Sequence, residues 1–178
     1  NALTGVVPVI VNNSTILAEV ENGTKTSHSR ITAGDSIGII AAADSDIYII
    51  AGGLAAAGAN AAGASINTAI LKNDIQAHAG TWTELMTTAT PAVQTSSNGI
   101  RIPNRNERRR GIIIFANGNE DVVMVSVSAG AGGSNAITGV INTLVVRNTV
   151  KATSREHVTI SVKKAAGSST NDTDPLPG

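Results

Sequence analysis

Five arginines fall within ten residues, Arg101, Arg105, Arg108, Arg109 and Arg110, with Glu107 the carboxylate set among them. Guanidinium groups grip carboxylate, sulfate and phosphate oxygens through paired N–H donors. The chemistry on offer is therefore recognition of an acidic surface, such as a sulfated glycan or the phosphates of lipopolysaccharide. The plainer reading of a block of like charge is a solvated loop. Trp82, the single tryptophan, offers a flat face to a sugar ring or, equally, a cap for an apolar layer. These six residues form the candidate ligand-binding set.

Other chemistries find less to work with. His28, His78 and His157 lie far apart in sequence, without the close pairing of zinc ligands, so no metal site and no cofactor is expected. Asp35, Asp44 and Asp46 fit turn chemistry, and the glycine-rich nonapeptide of calcium-binding β-rolls is absent. No Gly-x-Ser-x-Gly elbow occurs, and Gly130 to Gly133 is not followed by the lysine of a phosphate loop. A glycosidase needs two carboxylates about 5–9.5 Å apart. Asp46 and Asp121 stand at equivalent points of two similar phrases, but three short coils would separate them by roughly 14 Å. No catalytic residue is expected; a β-helical polysaccharide lyase or glycosidase is the more distant alternative.

Composition narrows the class of protein. The 178 residues are 42% hydrophobic, yet Trp82, Tyr48 and Phe115 are the only aromatics. A core filled by Ile, Val, Leu and Ala is a thin one, and β-branched residues with 18 glycines suit strands and close backbone approach. Thirteen basic residues balance 13 acidic ones, which argues against nucleic acid as a partner. Cysteine is absent, as a solenoid stabilised by neighbouring coils permits. The uncharged stretch Ile47 to Ala64 is too rich in Ala and Gly to span a membrane well. Without an initiator Met or a leader peptide, the sequence is expected to sit inside a longer parent chain.

The elements that must position these residues are read from repetition. A phrase beginning with a small residue and Gly recurs at Gly5, Gly63 and Gly139, 58 and 76 residues apart, each time reaching an Asn before the apolar pattern resumes. Asn13, Asn73 and Asn148 are read as equivalent turn residues, stacked into a ladder or tolerating a left-handed turn. A second phrase, Ile37 to Gly53, resembles Ile112 to Gly133. Val123, Val125 and Val127 read as a buried face, alternating with Met124, Ser126 and Ser128. Dividing the long repeat into coils of about 20–25 residues predicts an all-β parallel β-helix (β-solenoid) of about eight coils over 1–165. An inserted loop is expected at 81–110, and a linker or frayed tail at 166–178.

The phrases Thr32-Ala33-Gly34-Asp35-Ser36-Ile37, Ile40 to Gly53, and Ala61 to Ile66 with Asn73-Asp74-Ile75-Gln76-Ala77 resemble the passenger repeats of leukotoxin-type filamentous adhesins and haemagglutinin-like exoproteins of bacteria. The resemblance covers about 1–80 and 111–165. It implies a β-helix secreted or displayed on the bacterial cell surface, used for cell adhesion and virulence, with a host-cell surface or glycan as partner. It implies no catalytic residue. A self-assembling filament subunit or a plain spacer is the alternative, because an exposed coil edge templates pairing.

Overall fold

The computed structural model describes residues 1–88, 92–94 and 99–162; the tail expected at 166–178 lies outside them. The described residues are all-β, without a helix. The strands are β1 (Ala2–Val6), β2 (Val9–Val20), β3 (Ser29–Ala33), β4 (Ser36–Ala57), β5 (Asn60–Ala79), β6 (Thr83–Thr87), β7 (Ala92–Gln94), β8 (Ile100–Arg101), β9 (Arg108–Gly132), β10 (Asn135–Ser154) and β11 (Thr159–Val162). They form three sheets: β1-β5-β10 with β2 also on β5, β3-β6-β11, and β4-β9 with β7 and β8 against β9.

The long strands are the first departure from expectation. Ala43 to Asp46, Gly52-Gly53 and Asn117 to Asn119 read as turns, yet β4 runs unbroken for 22 residues and β9 for 25. Asn13, Asn73 and Asn148 likewise sit inside β2, β5 and β10 rather than in turns. In a stacked sheet the backbone groups are satisfied by the strand above or below, so weak strand formers need not interrupt it.

β1 with β5, β3 with β6 and β6 with β11 pair in parallel with a long step. Leu3 faces Ala62, Ile31 faces Leu85, and Ile160 faces the same Leu85 from the other side. Hydrogen-bonded neighbours in adjacent layers are 59 residues apart at Asn1 and Asn60, 54 at Arg30 and Glu84, and 75 at Asn60 and Asn135. The step between paired residues therefore spans the whole double phrase, and eight closed coils of 20–25 residues are not seen. β7 and β8 pair antiparallel with β9. Within the stretch 81–110, β6 pairs with β3 and β11. The step rises from 54 residues at Glu84 to 75 at Arg110.

Two compact units share these strands. In the first (Asn1–Leu17, Ala42–Ile75 and Asn117–Val150), Ile49, Ala69 and Leu71 form a buried cluster against Ile10, Ile47, Val122 and Met124. Two sheet faces thus meet through aliphatic side chains, thin enough to dispense with aromatics. Val122 and Met124 point inward while Val123, Val125 and Val127 are exposed, the reverse of the expected face. The reason is parity: steps of 59 and 75 are odd, so inward residues are even on β2 and β9 and odd on β4 and β5. Aligning the phrases by their glycines gives even steps, and a slip of one residue turns a strand over.

In the second unit (Ala18–Ala41, Gln76–Ala116 and Lys151–Gly178), Leu85 is fully buried at the centre of the Ile31, Leu85, Ile160 column. Ile37, Ile39 and Ile102 are also buried. Among the described residues no helix is long and apolar enough to cross a membrane.

Candidate functional site

The arginine cluster lies where the chain leaves the stack and returns. Ile100 and Arg101 in β8 pair with Arg109 and Arg108 at the start of β9, so the antiparallel turn gathers all five guanidinium groups in the second unit. Asn104 takes a positive φ of 58° within this turn and Gly99 one of 93° just before β8, and Gly and Asn tolerate that conformation best.

The five do not form one free patch. Arg110 is tied to Asp35 through Nε at 2.7 Å and through Nη2. The Arg110 hydrogen bond, joined by one from the Ser36 hydroxyl, holds the Asp35 carboxyl below its ordinary value of 3.8. Arg108 donates to the Gly99 carbonyl at 2.8 Å, which braces the turn. Arg105 and Arg109 share Glu107 at 3.4 and 3.2 Å, and Arg105 lies 6.0 Å over the Phe115 ring. Arg101 is exposed and has no ion-pair partner among the described residues. The arginines left to meet an acidic ligand are therefore Arg101, Arg105 and Arg109, with Glu107 offsetting part of their charge, and since Arg101 opposes Arg108 while Arg109 opposes Ile100, Arg101 and Arg109 lie on opposite faces of the β8–β9 ribbon; Arg108 and Arg110 are structural.

Trp82 is placed elsewhere in its unit. It stands at a positive φ of 56° between two histidines, stacked on His157 with centroids 3.8 Å apart and tilted to His28 at 5.7 Å. Steps of 54 and 75 residues along the chain bring these three rings together, the same steps that pair β3 and β11 with β6. Sequence reading treated the histidines as scattered because it lacked that register. His78 is buried with its Nε2 2.6 Å from Glu19. Among the described residues no group of three or more His, Cys, Asp or Glu could hold a metal ion.

Of the three asparagines expected to align, two do. Asn73 is buried, accepts from the Ser14 hydroxyl at 2.5 Å and donates to Glu120 Oε1 at 2.7 Å. Asn148 donates to the other oxygen of the same carboxylate. Ser14, not Asn13, occupies the first layer, and Asn13 is exposed. A second bridge repeats the device: Asn67 donates to Ser126 at 2.5 Å, and Ser126 donates to Asn142 at 2.5 Å.

A column that sequence reading missed lies in the first unit at the head of the layers. Asn135 Nδ2 donates to Asn60 Oδ1 at 2.9 Å, and Asn60 Nδ2 donates to Asn1 Oδ1 at 3.1 Å. Its signal is the dipeptide Asn-Ala at 1, 60 and 135. An open groove of about 710 Å³ runs across it, between residues 1–3, 60–62 and 134–137.

The same register alters the carboxylate argument. Asn119 donates to Asp44 across a step of 75 residues, and that step sets Asp121 beside Asp46 in the adjacent strand rather than three coils away. Both are exposed. A glycosidase acid requires a pocket that keeps its carboxyl protonated, and this open face offers none. No protein family, curated protein or solved structure matches the chain.

Proposed function

We propose that this chain is a structural and adhesive segment of a large secreted or surface-displayed bacterial filamentous adhesin, built as a parallel β-solenoid with unusually long turns. The observation that carries the reading is the parallel register, in which equivalent residues such as Ile31, Leu85 and Ile160 stack layer on layer. Stacking of that kind adds length with each layer and stiffness from every backbone hydrogen bond. The arginine turn between β8 and β9 is the part of the stack free to vary, and it offers Arg101, Arg105 and Arg109 to acidic glycans of a host-cell surface or a neighbouring cell. No catalytic residue is assigned.

The test is chromatography on immobilised heparin with a salt gradient, comparing wild type with the triple variant Arg101→Ser, Arg105→Ser, Arg109→Ser. Arg108 and Arg110 stay, because they brace the turn. Retention that falls in the triple variant and weakens with salt supports a contact surface. Equal elution removes the adhesive half of the reading and leaves a spacer.

A further inference from the structure

The two outer faces of the first unit are both apolar and differ in charge. On the β4–β9 sheet, Tyr48, Ile50, Leu54, Val123, Val125 and Val127 point outward and are exposed, Ile50 at 81%. Asp46 and Asp121 stand beside each other, exposed, where that apolar run begins. On the opposite sheet, Val11 of β2 is 64% exposed, and Ile70 of β5 with Ile141 and Val145 of β10 continues a second outward apolar strip. It ends at Lys72 and Arg147, both exposed, which the 75-residue step sets side by side. Apolar patches of this kind mark contact surfaces. Further layers would add at strand edges and leave both faces as they are.

Each face carries two like charges on neighbouring strands, an arrangement that costs stability. Among the described residues no ion pair joins Asp46, Asp121, Lys72 or Arg147 to an opposite charge. The faces also match in register. Ser126 donates to Asn142 and Asn148 donates to Glu120 across the core, so β9 and β10 run in opposite directions. Asp121 therefore stands level with Arg147, Val123 with Val145 and Val127 with Ile141. One 75-residue step back, Asp46 stands level with Lys72 and Tyr48 with Ile70. Within one chain these partners lie on opposite outer sides. A second copy shifted along the sheet normal, without rotation, brings them face to face.

We propose that the β4–β9 face of one copy of this chain docks on the β2–β5–β10 face of a second copy, with Asp46 on Lys72, Asp121 on Arg147 and the two apolar strips packed between sheets about 10 Å apart. The occupant is a second copy because one displacement brings opposite charges together at the same levels where apolar residues coincide. One position opposes the contact: Asp74 falls against Asp44, whose carboxylate already accepts from Asn119 Nδ2 at 2.9 Å. Different faces are used on the two partners, so the contact repeats copy after copy rather than closing a two-fold dimer. The inference goes beyond the adhesive reading and fails separately from it, because the arginine turn lies in the second unit and both faces in the first.

Sedimentation velocity of the 178-residue chain at low salt across a concentration series tests it. The samples are wild type, the acidic-face variant Asp46→Lys, Asp121→Lys, the basic-face variant Lys72→Asp, Arg147→Asp, and an equimolar mixture of the two variants. Wild type is expected to form species that grow past the dimer with concentration and shrink as salt rises. Each variant alone presents two faces of one sign and is expected to stay monomeric. The mixture is expected to regain the growth of wild type, because faces of opposite sign then alternate along the array. Far-ultraviolet circular dichroism checks that each variant keeps the strand spectrum. Where one does not, the milder Asp121→Asn and Arg147→Gln take its place, each expected to weaken assembly severalfold. A wild type that stays monomeric, a charge-reversed or neutral variant that assembles as wild type does, or a mixture of folded variants that stays monomeric overturns the proposal.

Discussion

The central strand β5 and the outer strand β10 are both 20 residues long and begin with Asn-Ala. β10 is the more apolar, with Ile137, Val140, Ile141, Leu144, Val145 and Val146, yet every residue in it is exposed. β5 carries Asn, Ser, Ala and Gly at many positions, yet Ser65, Asn67, Ala69, Leu71 and Ala77 are wholly buried. Burial here follows a strand's place in the stack rather than its own hydrophobicity. A middle strand has neighbours on both edges and a sheet against its face; an end strand lacks one edge neighbour. Ser126 and Glu120 accept from the Asn67 and Asn73 amide N–H groups, while Ser65 Oγ and Asn67 Oδ1 are buried without a hydrogen-bond partner among the described residues.

The sharpest way to break that contrast is to truncate matched leucines. Leu71→Ala removes a fully buried side chain and is expected to cost about 2–5 kcal/mol. Leu144→Ala, at a site 47% exposed, should cost less than about 1 kcal/mol. Denaturant midpoints measure both, and equal losses would mean that β10 is covered in solution. Asn13 and Asn73, equivalent by spacing, give a smaller separation. Asn73→Ala leaves the Ser14 hydroxyl and Glu120 Oε1 without this partner and should cost about 1–3 kcal/mol, whereas Asn13→Ala should stay within about 0.5 kcal/mol.

The smallest expected effect concerns pH. Because Arg110 and Ser36 hold Asp35 below 3.8 in the folded chain, its pairing stabilises the fold at pH above the unfolded value. That contribution is lost as pH falls through the lower, folded value. A urea midpoint followed from neutral pH into acid should decline less steeply for Asp35→Asn than for wild type over that window, with the variant already weaker at neutral pH. Parallel acid limbs would show the pair to be inconsequential.

Much of the fold is legible in the chain. β-Branched runs, scarce aromatics and the doubled phrases lead to an all-β body with layered pairing, and the arginine cluster is plain from spacing. The register is not legible from glycine positions. Gly5, Gly63 and Gly139 tempt an even alignment, while Asn1, Asn60 and Asn135 carry the odd one that the hydrogen bonds obey. That single residue decides whether Val123 or Met124 faces the core and whether Asn13 or Ser14 meets Asn73. Nor does spacing reveal that Arg108 and Arg110 are occupied, since Asp35 lies 75 residues from Arg110.

Local chemistry was thus enough to make strands, to space the turn that holds the arginines, and to write a phrase able to stack on itself. Stacking settled which copy of the phrase is buried, which guanidinium groups stay available, and which asparagines are bridged. The physical reason is that a strand's side chains alternate by a rule internal to the chain, whereas the partner on each edge comes from 54 to 75 residues away. Only the assembled layers fix that partner.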